Sequence, residues 1–178
     1  IVVGAMANNF IKFKGNKVGK SLVESNSEMI VKKIFDNAHE DGCRIFIPID
    51  VGVSETTDGK AKLKQLYSLT ENDRILDIGP KTIKKIFEII DSSKTVLWNG
   101  PAGYFENKHF ANGTISIAKK ISDNTKNKSL ISILGGGDTI SAINKSDEKL
   151  SFTHLSTAGG AFLEYLEGKD LPGLTVLK

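Results

Sequence analysis

Short apolar runs alternate with longer segments of helical periodicity along most of the chain. The runs are rich in Ile, Leu and Val and end near Gly, Pro, Asp or Asn, a pattern typical of buried strands. The longer segments place apolar side chains three or four residues apart, which predicts helices over 26–40, 81–90 and 110–121. The predicted strands cover 1–3, 44–47, 75–78, 95–98, 130–134 and, with a less regular pattern, 152–155.

This alternation of strands and helices favours a parallel sheet covered by helices on both faces. We therefore expect an α/β fold, Rossmann-like, with three α/β/α layers and a mainly parallel sheet of about six strands. Segment 50–72 breaks the pattern because it is polar and interrupted by glycine, and we expect an irregular surface excursion there.

Composition narrows the possible partners and the cellular setting. The net charge of +3 is dispersed, and no basic stripe with interleaved aromatic residues indicates a nucleic-acid partner. No apolar run reaches the roughly 20 residues of a membrane helix. The single cysteine, Cys43, excludes an internal disulfide, so we expect a reducing, cytoplasmic location. Ile1 lies within a predicted strand without an initiator Met, which predicts a piece of a longer protein.

Glycine and polar residues follow each of the predicted strands. In an open parallel sheet the carboxyl ends of the strands share an edge, and ligands bind there. The six following segments are VGAMAN, DVGVSE, DIGPKT, WNGPAGYFE, GGGDT and STAGGA. Their convergence predicts a ligand site at this edge.

The GGGDT segment, residues 135–139, has two interpretations. Glycine lets backbone N–H groups approach an anion, and the start of the following helix adds a partial positive charge. Asp138 would then hold a divalent metal through water. Alternatively, the segment is a tight turn in which Asp138 is only the helix N-cap.

Two other strand ends carry candidate ligand groups. Glu106 in WNGPAGYFE either accepts hydrogen bonds from a ribose or is a favourable acid in the first turn of a helix. Segment 156–160, STAGG, places small residues before a helical segment and favours a second phosphate-binding turn.

Two familiar nucleotide motifs are missing. The GKS at residues 19–21 lacks the glycine that a P-loop requires five positions earlier, where Lys14 stands. No strand is followed by G-x-G-x-x-G, which argues against a dinucleotide-dependent dehydrogenase.

Six motifs follow one another along nearly the whole chain, 1–178. They are MANNFIKFKGNKVGKSLVE, ILDIGPKTI, VLWNGPAGYFE, FANGT, GGGDTISAI and HLSTAGGAFLEYLEGKDLPGL. In sequence and in order this series resembles the phosphoglycerate kinase family, specifically most of its C-terminal nucleotide-binding domain. The resemblance implies reversible phosphoryl transfer, with Mg²⁺, between 1,3-bisphosphoglycerate and ADP to give 3-phosphoglycerate and ATP in glycolysis.

The resemblance also implies roles for individual residues on the nucleotide side. One group would contact the nucleoside: Gly4 and Leu76 near the adenine, Asn99, Pro101 and Tyr104 lining the pocket, and Glu106 at the ribose. A second group would face the phosphates: Gly135, Gly136, Gly137, Asp138 and Thr139, with Asp138 also on the metal side, and Gly159 and Gly160 at the transferring phosphoryl group.

Departures from the family pattern limit what the chain does alone. Val3 and Ala5 flank Gly4 where the family has a glycine cluster, Ala158 replaces a third glycine, and Tyr104 stands where an aliphatic residue is common. The family's lysine segment, GGAKV, and its N-terminal domain, which binds phosphoglycerate, are absent. We expect a monomer that is inactive alone; the alternative is a non-catalytic nucleotide-binding or interaction module.

Overall fold

The computed structural model describes residues 1–146 and 149–176, and it confirms the α/β class. Its helices are α1 (Gly4–Phe13), α2 (Ser27–Glu40), α3 (Pro80–Ser92), α4 (Asn112–Lys126), α5 (Gly137–Asn144), α6 (Gly159–Leu166) and α7 (Pro172–Thr175). Its strands are β1 (Asp50–Ser54), β2 (Lys62–Gln65), β3 (Arg74–Ile78), β4 (Thr95–Asn99), β5 (Ile131–Gly135) and β6 (His154–Ser156). Short 3₁₀ helices cover Leu66–Ser68 and Lys108–Phe110. No helix in these ranges is long and apolar enough to cross a membrane.

The chain divides into two compact units, each with its own three-stranded sheet. The first unit comprises Ile1–Ile89 and Pro101–Ile117, and the second comprises Ile90–Gly100 and Ala118–Lys178. The prediction of one mainly parallel sheet of about six strands is therefore wrong. An apolar run indicates that a strand will be buried but not which strand it will pair with.

The sheet of the first unit is antiparallel, in the order β2-β1-β3. Val51 and Val53 of β1 are fully buried and pack with Leu69. The expectation of an irregular excursion over 50–72 is thus wrong, because β1 and β2 form paired strands within it. The apolar pattern did not predict strand β2 because β2 is a polar edge strand. Lysines such as Lys62 are common in edge strands, where they prevent pairing with another chain.

The sheet of the second unit is parallel, in the order β4-β5-β6, as the alternation predicted for this part of the chain. Asn99 at the end of β4 lies opposite Gly135, and Gly135 lies opposite Ser156. The carboxyl ends of three consecutive parallel strands therefore meet at one edge. The turns that leave this edge contain GGGDT and STAGG.

Two predicted strands, 1–3 and 44–47, are not strands in the structure. The Val2 N–H donates to the Phe46 carbonyl at 2.9 Å, but no ladder joins the two segments. Val2 instead packs against Ala7 and Ile11 of α1. Apolar content alone predicted strands here, whereas a strand also needs a partner backbone along its length.

The three predicted helices are confirmed as α2, α3 and α4. Helix α3 begins at Pro80, where the buried Asp50 carboxylate accepts hydrogen bonds from the backbone N–H groups of Lys81 (3.0 Å) and Thr82 (2.8 Å). The predicted apolar face of α2 is buried only at Val31, while Ile30 is 61% exposed.

Candidate functional site

The candidate residues fall into two groups, one in each unit. The first unit contains Gly4, Leu76, Pro101, Tyr104 and Glu106, and the second contains Asn99, Gly135, Gly136, Gly137, Asp138, Thr139, Gly159 and Gly160. The first group is expected at the nucleoside, and most of the second at the phosphates.

Gly4 and Pro101 lie against each other in the first unit. Gly4 has φ of +65°, and a Cβ at this position would lie 2.7 Å from the Pro101 carbonyl oxygen. Both the left-handed backbone and the close approach require glycine. Two residues that are 97 positions apart in sequence, and that were both predicted for the pocket, are thus brought together within one unit.

Leu76 and Tyr104 are joined directly through the backbone. The Tyr104 N–H donates to the Leu76 carbonyl at 2.7 Å, and the Tyr104 side chain is 40% exposed. Behind this contact, the buried Thr114 hydroxyl accepts from the N–H groups of Ala102 (3.0 Å) and Gly103 (3.3 Å). The segment 101–104 therefore has a backbone conformation set by β3 and by the start of α4.

Glu106 lies in a turn and not in the first turn of a helix, so the helix interpretation of this residue is wrong. The following 3₁₀ helix, Lys108–Phe110, is capped by Asn107, whose side-chain oxygen accepts from the His109 N–H at 2.9 Å. Glu106 is exposed and has no side-chain partner among residues 1–146 and 149–176. Its carboxylate is accessible to a polar ligand such as a ribose hydroxyl.

Asp77 is a buried carboxylate behind the same segment that the sequence reasoning missed. Its oxygens accept hydrogen bonds from the N–H groups of Gly113 (2.9 Å) and Ile78 (2.8 Å). Burial raises the pKa of Asp77 to about 7, although these two donors lower it. The sequence feature that could have revealed Asp77 is an acidic residue inside the otherwise apolar run ILDI.

In the second unit, two glycines at the end of β5 are required by the structure. A Cβ at Gly135 would lie 2.7 Å from Cδ1 of Phe162 in α6. Gly136 has φ of +92°, and a Cβ there would lie 3.2 Å from the Asn99 side-chain nitrogen. The Asn99 side chain is therefore adjacent to the glycine turn.

The start of α5 excludes the interpretation of Asp138 as an N-cap. The N-cap is Gly136, which makes no side-chain bond, and Asp138 lies one residue inside the helix. Asp138 is exposed, and its carboxylate has no partner within the described ranges. A Cβ at Gly137 would meet nothing within 4 Å. The first N–H groups of α5 lack partners inside the helix, which suits an anion.

Thr139 has a protein partner of its own. Its side chain is fully buried, and its hydroxyl accepts a 2.7 Å hydrogen bond from the Gly100 N–H. The Gly100 carbonyl in turn accepts from the Trp98 indole N–H at 2.7 Å. Thr139 thus connects the start of α5 to the turn that follows β4.

Gly159 and Gly160 follow β6 and begin α6. A Cβ at either position would meet nothing within 4 Å, so the turn is open. Ala158, which replaces a glycine of the family pattern, has φ of −73° and fits the turn without strain.

The acidic residues suit Mg²⁺ bound together with phosphate better than a metal held by protein alone. Within the described ranges no group of three or more His, Cys, Asp or Glu side chains converges. Mg²⁺ is commonly held by one or two carboxylates together with substrate phosphates and water. The accessible Asp138 carboxylate beside the open start of α5 fits this arrangement.

A parallel sheet whose glycine-rich turns lead into helix N-termini defines an α/β protein and is typical of the α/β class that binds phosphorylated ligands at strand ends. The family model described as phosphoglycerate kinase matches residues 1–169. The chain belongs to the phosphoglycerate kinase family.

Similar proteins agree on this family and match the chain with part of their length. Phosphoglycerate kinase of Chelativorans sp. (strain BNC1) is 41% identical over 100% of this chain and 45% of its own length. That of Wolbachia pipientis subsp. Culex pipiens is 44% identical over 98% of this chain and 44% of its own length. This chain thus spans about 45% of the length of these relatives.

Solved structures give the same result. The structure of phosphoglycerate kinase from Coxiella burnetii has a TM-score of 0.88 and 37% identity over 99% of this chain and 45% of that chain. Phosphoglycerate kinase from Pyrococcus horikoshii gives a TM-score of 0.74 and 32% identity over 98% of this chain and 44% of that chain.

Proposed function

We propose that this chain is the nucleotide-binding part of a phosphoglycerate kinase. The reaction is reversible phosphoryl transfer between 1,3-bisphosphoglycerate and ADP, which gives 3-phosphoglycerate and ATP in glycolysis. Membership of the family supports this proposal. The observation that carries it is the start of α5, where the accessible Asp138 carboxylate follows Gly137, at which a Cβ would meet nothing within 4 Å.

The phosphates of ADP or ATP would bind at Gly136, Gly137 and the first N–H groups of α5. These groups donate hydrogen bonds to anionic oxygens, and the helix N-terminus adds a partial positive charge. Asp138 would hold Mg²⁺, which neutralises charge on the phosphate oxygens when it is bound. Gly159 and Gly160 would donate from the start of α6 to the phosphoryl group in transfer.

The adenosine end would be bound by the group in the first unit. Glu106 would accept hydrogen bonds from the ribose hydroxyls, since its carboxylate is exposed and has no side-chain partner in the described ranges. The half-exposed Tyr104 ring and Leu76 would offer apolar surface to the base. Gly4 and Pro101 would line the same pocket. For Asn99, in the second unit, we also propose a contact with the nucleotide.

The residues that bind the second substrate would lie outside residues 1–178. We assign this chain to the C-terminal nucleotide domain, and a separate N-terminal domain would bind 3-phosphoglycerate or 1,3-bisphosphoglycerate. We expect a cytoplasmic monomer with no nucleic-acid or membrane partner. Alone, the chain would bind nucleotide and transfer nothing, so conversion of 1,3-bisphosphoglycerate by the purified chain would contradict this last point.

Calorimetric titration of the purified chain with ADP tests the proposal. Asp138→Asn should weaken binding of Mg-ADP by about tenfold or more, the equivalent of one lost charged contact, and change binding of metal-free ADP much less. Glu106→Gln should weaken both, because the ribose is common to them. Asp123→Asn, which changes an exposed acid of α4, is the matched control and should bind like the unmodified chain.

Two results would contradict the assignments. If the unmodified chain, shown to be folded by circular dichroism, does not bind Mg-ADP, it is not a nucleotide-binding part by itself. If it binds and both Asp138→Asn and Glu106→Gln leave the dissociation constant unchanged, the nucleotide lies elsewhere.

A further inference from the structure

We propose that Asp77 is a positioning residue for the nucleotide-binding segment Pro101–Glu106, and that full nucleotide affinity requires the backbone contacts that its side chain fixes. The inference rests on the proposed function for the identity of the ligand. The positioning itself is a property of the free chain and is tested without nucleotide.

Asp77 lies at the point where three parts of the first unit meet. It follows Leu76 in β3, and its oxygen Oδ2 accepts from the N–H of Gly113 at the start of α4. A Cβ added at Gly103, in the middle of the segment, would overlap the Asp77 carboxylate. A Cβ added at Gly113 would overlap it as well. The carboxylate therefore fills the space that these two glycines leave.

The segment is held by two residues: one precedes Asp77 in β3, and the other follows Gly113, the hydrogen-bond partner of Asp77, in α4. Leu76, the preceding residue, accepts from the Tyr104 N–H at 2.7 Å. Thr114, which follows Gly113, accepts from the Ala102 N–H at 3.0 Å. A shift of Gly113 relative to β3 would change the distance between the Leu76 carbonyl and the Thr114 hydroxyl. Asp77 fixes the position of Gly113 relative to β3, because its carboxylate in β3 accepts a hydrogen bond from the Gly113 N–H.

Both oxygens of Asp77 act as acceptors, which an amide side chain of the same size cannot do. Oδ1 accepts from the Ile78 N–H at 2.8 Å and Oδ2 from the Gly113 N–H at 2.9 Å. An asparagine at this position would have one oxygen and one NH₂ group, and the NH₂ group would face an N–H donor and could not accept. One of the two bonds is weakened, and a backbone donor in a buried position loses its partner.

Among the described residues, no charged group acts on the pKa of Asp77. Gly52 of β1, Gly103 and Gly113 lie against its side chain, and none of them is titratable. Burial raises the pKa of Asp77 to about 7, and the N–H donors of Gly113 and Ile78 lower it only in part. Because burial by the segment raises this pKa, acidification from pH 8 to pH 6 should favour the held segment over an opened form in which Asp77 meets water.

Hydrogen–deuterium exchange on the nucleotide-free chain tests the positioning. Asp77→Asn keeps the size of the side chain but replaces one acceptor with an NH₂ donor, and should raise exchange of residues 102–104 and 113 by about tenfold or more. Asp73→Asn is the matched control, because Asp73 has the same 5% exposure and bonds instead to Lys64 and Thr70. It should leave exchange at these residues unchanged.

The dependence of exchange on pH provides the second readout. From pH 8 to pH 6, the protection of residues 102–104, corrected for the intrinsic rates, should rise by up to about tenfold in the unmodified chain and in Asp73→Asn, because protonation favours the form with the raised pKa. In Asp77→Asn the protection should not change with pH. The same change with pH in all three chains would overturn the proposal.

The outcomes separate this inference from the proposed function. If Asp77→Asn does not fold, exchange of 102–104 in the unmodified chain at pH 6 and pH 8, corrected for the intrinsic rates, decides. Equal protection at both values, or lower protection at pH 6, overturns the positioning. Higher protection at pH 6, in a chain that binds no ADP at any pH, supports the positioning and refutes the proposed ligand.

Discussion

The Thr139 hydroxyl at the start of α5 accepts a 2.7 Å hydrogen bond from the Gly100 N–H, which lies in the turn after β4. Thr139 is fully buried, so the bond is shielded from water. Neighbouring strands of a parallel sheet are joined by hydrogen bonds along their length, but the turns beyond their ends are not. This bond extends the connection into the glycine turn and fixes the direction in which α5 begins.

Thr139→Val should lower the free energy of unfolding by about 1–3 kcal/mol, because valine keeps the shape and leaves the Gly100 N–H unpaired. Thr139→Ser keeps the hydroxyl and removes one methyl group, so it should cost about 1 kcal/mol or less. Urea denaturation followed by circular dichroism measures both values. An equal loss in the two variants would mean that packing, and not the hydrogen bond, is what matters.

Gly135 and Gly137 should respond in opposite ways to the same substitution. Gly135→Ala places a methyl group against Phe162 and should lower the free energy of unfolding by about 1–3 kcal/mol. Gly137→Ala meets open space and should be neutral or stabilising by up to about 1 kcal/mol. Thermal unfolding compares the two variants, and a destabilised Gly137→Ala would contradict the open geometry.

Gly137→Ala also distinguishes an effect on folding from an effect on ligand binding. If phosphate approaches the backbone at Gly137, Gly137→Ala should weaken ADP binding without loss of stability. Titration calorimetry on a variant with an unchanged melting temperature measures this, and an unchanged dissociation constant would place the phosphates elsewhere.

Asp50→Ala should destabilise the chain by about 2 kcal/mol, because the carboxylate caps α3 through Lys81 and Thr82 inside the protein. The control is Asp36→Ala, which breaks the exposed pair with Lys32 and should cost much less, because water and salt screen such a pair. Chemical denaturation gives both values. Similar losses would show that the cap contributes no more than a surface pair.

The stability contribution of Asp77 should fall as pH rises from about 4 to about 7. Its pKa is raised from the ordinary 3.8 to about 7, so in this window the folded chain binds the proton and the unfolded chain does not. The free energy of unfolding should then decrease by up to about 1.4 kcal/mol per pH unit and level off above pH 7. The difference between the unmodified chain and Asp77→Asn isolates this effect. A difference that rises with pH would contradict the raised pKa.

Much of the second unit could be predicted from local pattern. The apolar runs of β4 and β5, the glycines after β5 and the helical spacing that follows are all contained in short stretches of sequence. The first unit was harder, because β2 is short and polar and gains its strand conformation by pairing with Val51 and its neighbours. Segments 1–3 and 44–47 show the converse, since apolar runs without a partner ladder do not become strands.

The sequence by itself determined the family and the α/β class, and it placed Asp138, Glu106 and the glycine turns among the candidate site residues. These features depend on local residue order. The tertiary structure alone decided that the strands form two sheets, that Thr139 bonds to Gly100 and that Asp77 lies between Gly103 and Gly113. Such contacts join residues tens of positions apart, and their free energy depends on burial and geometry that exist only once the chain has folded.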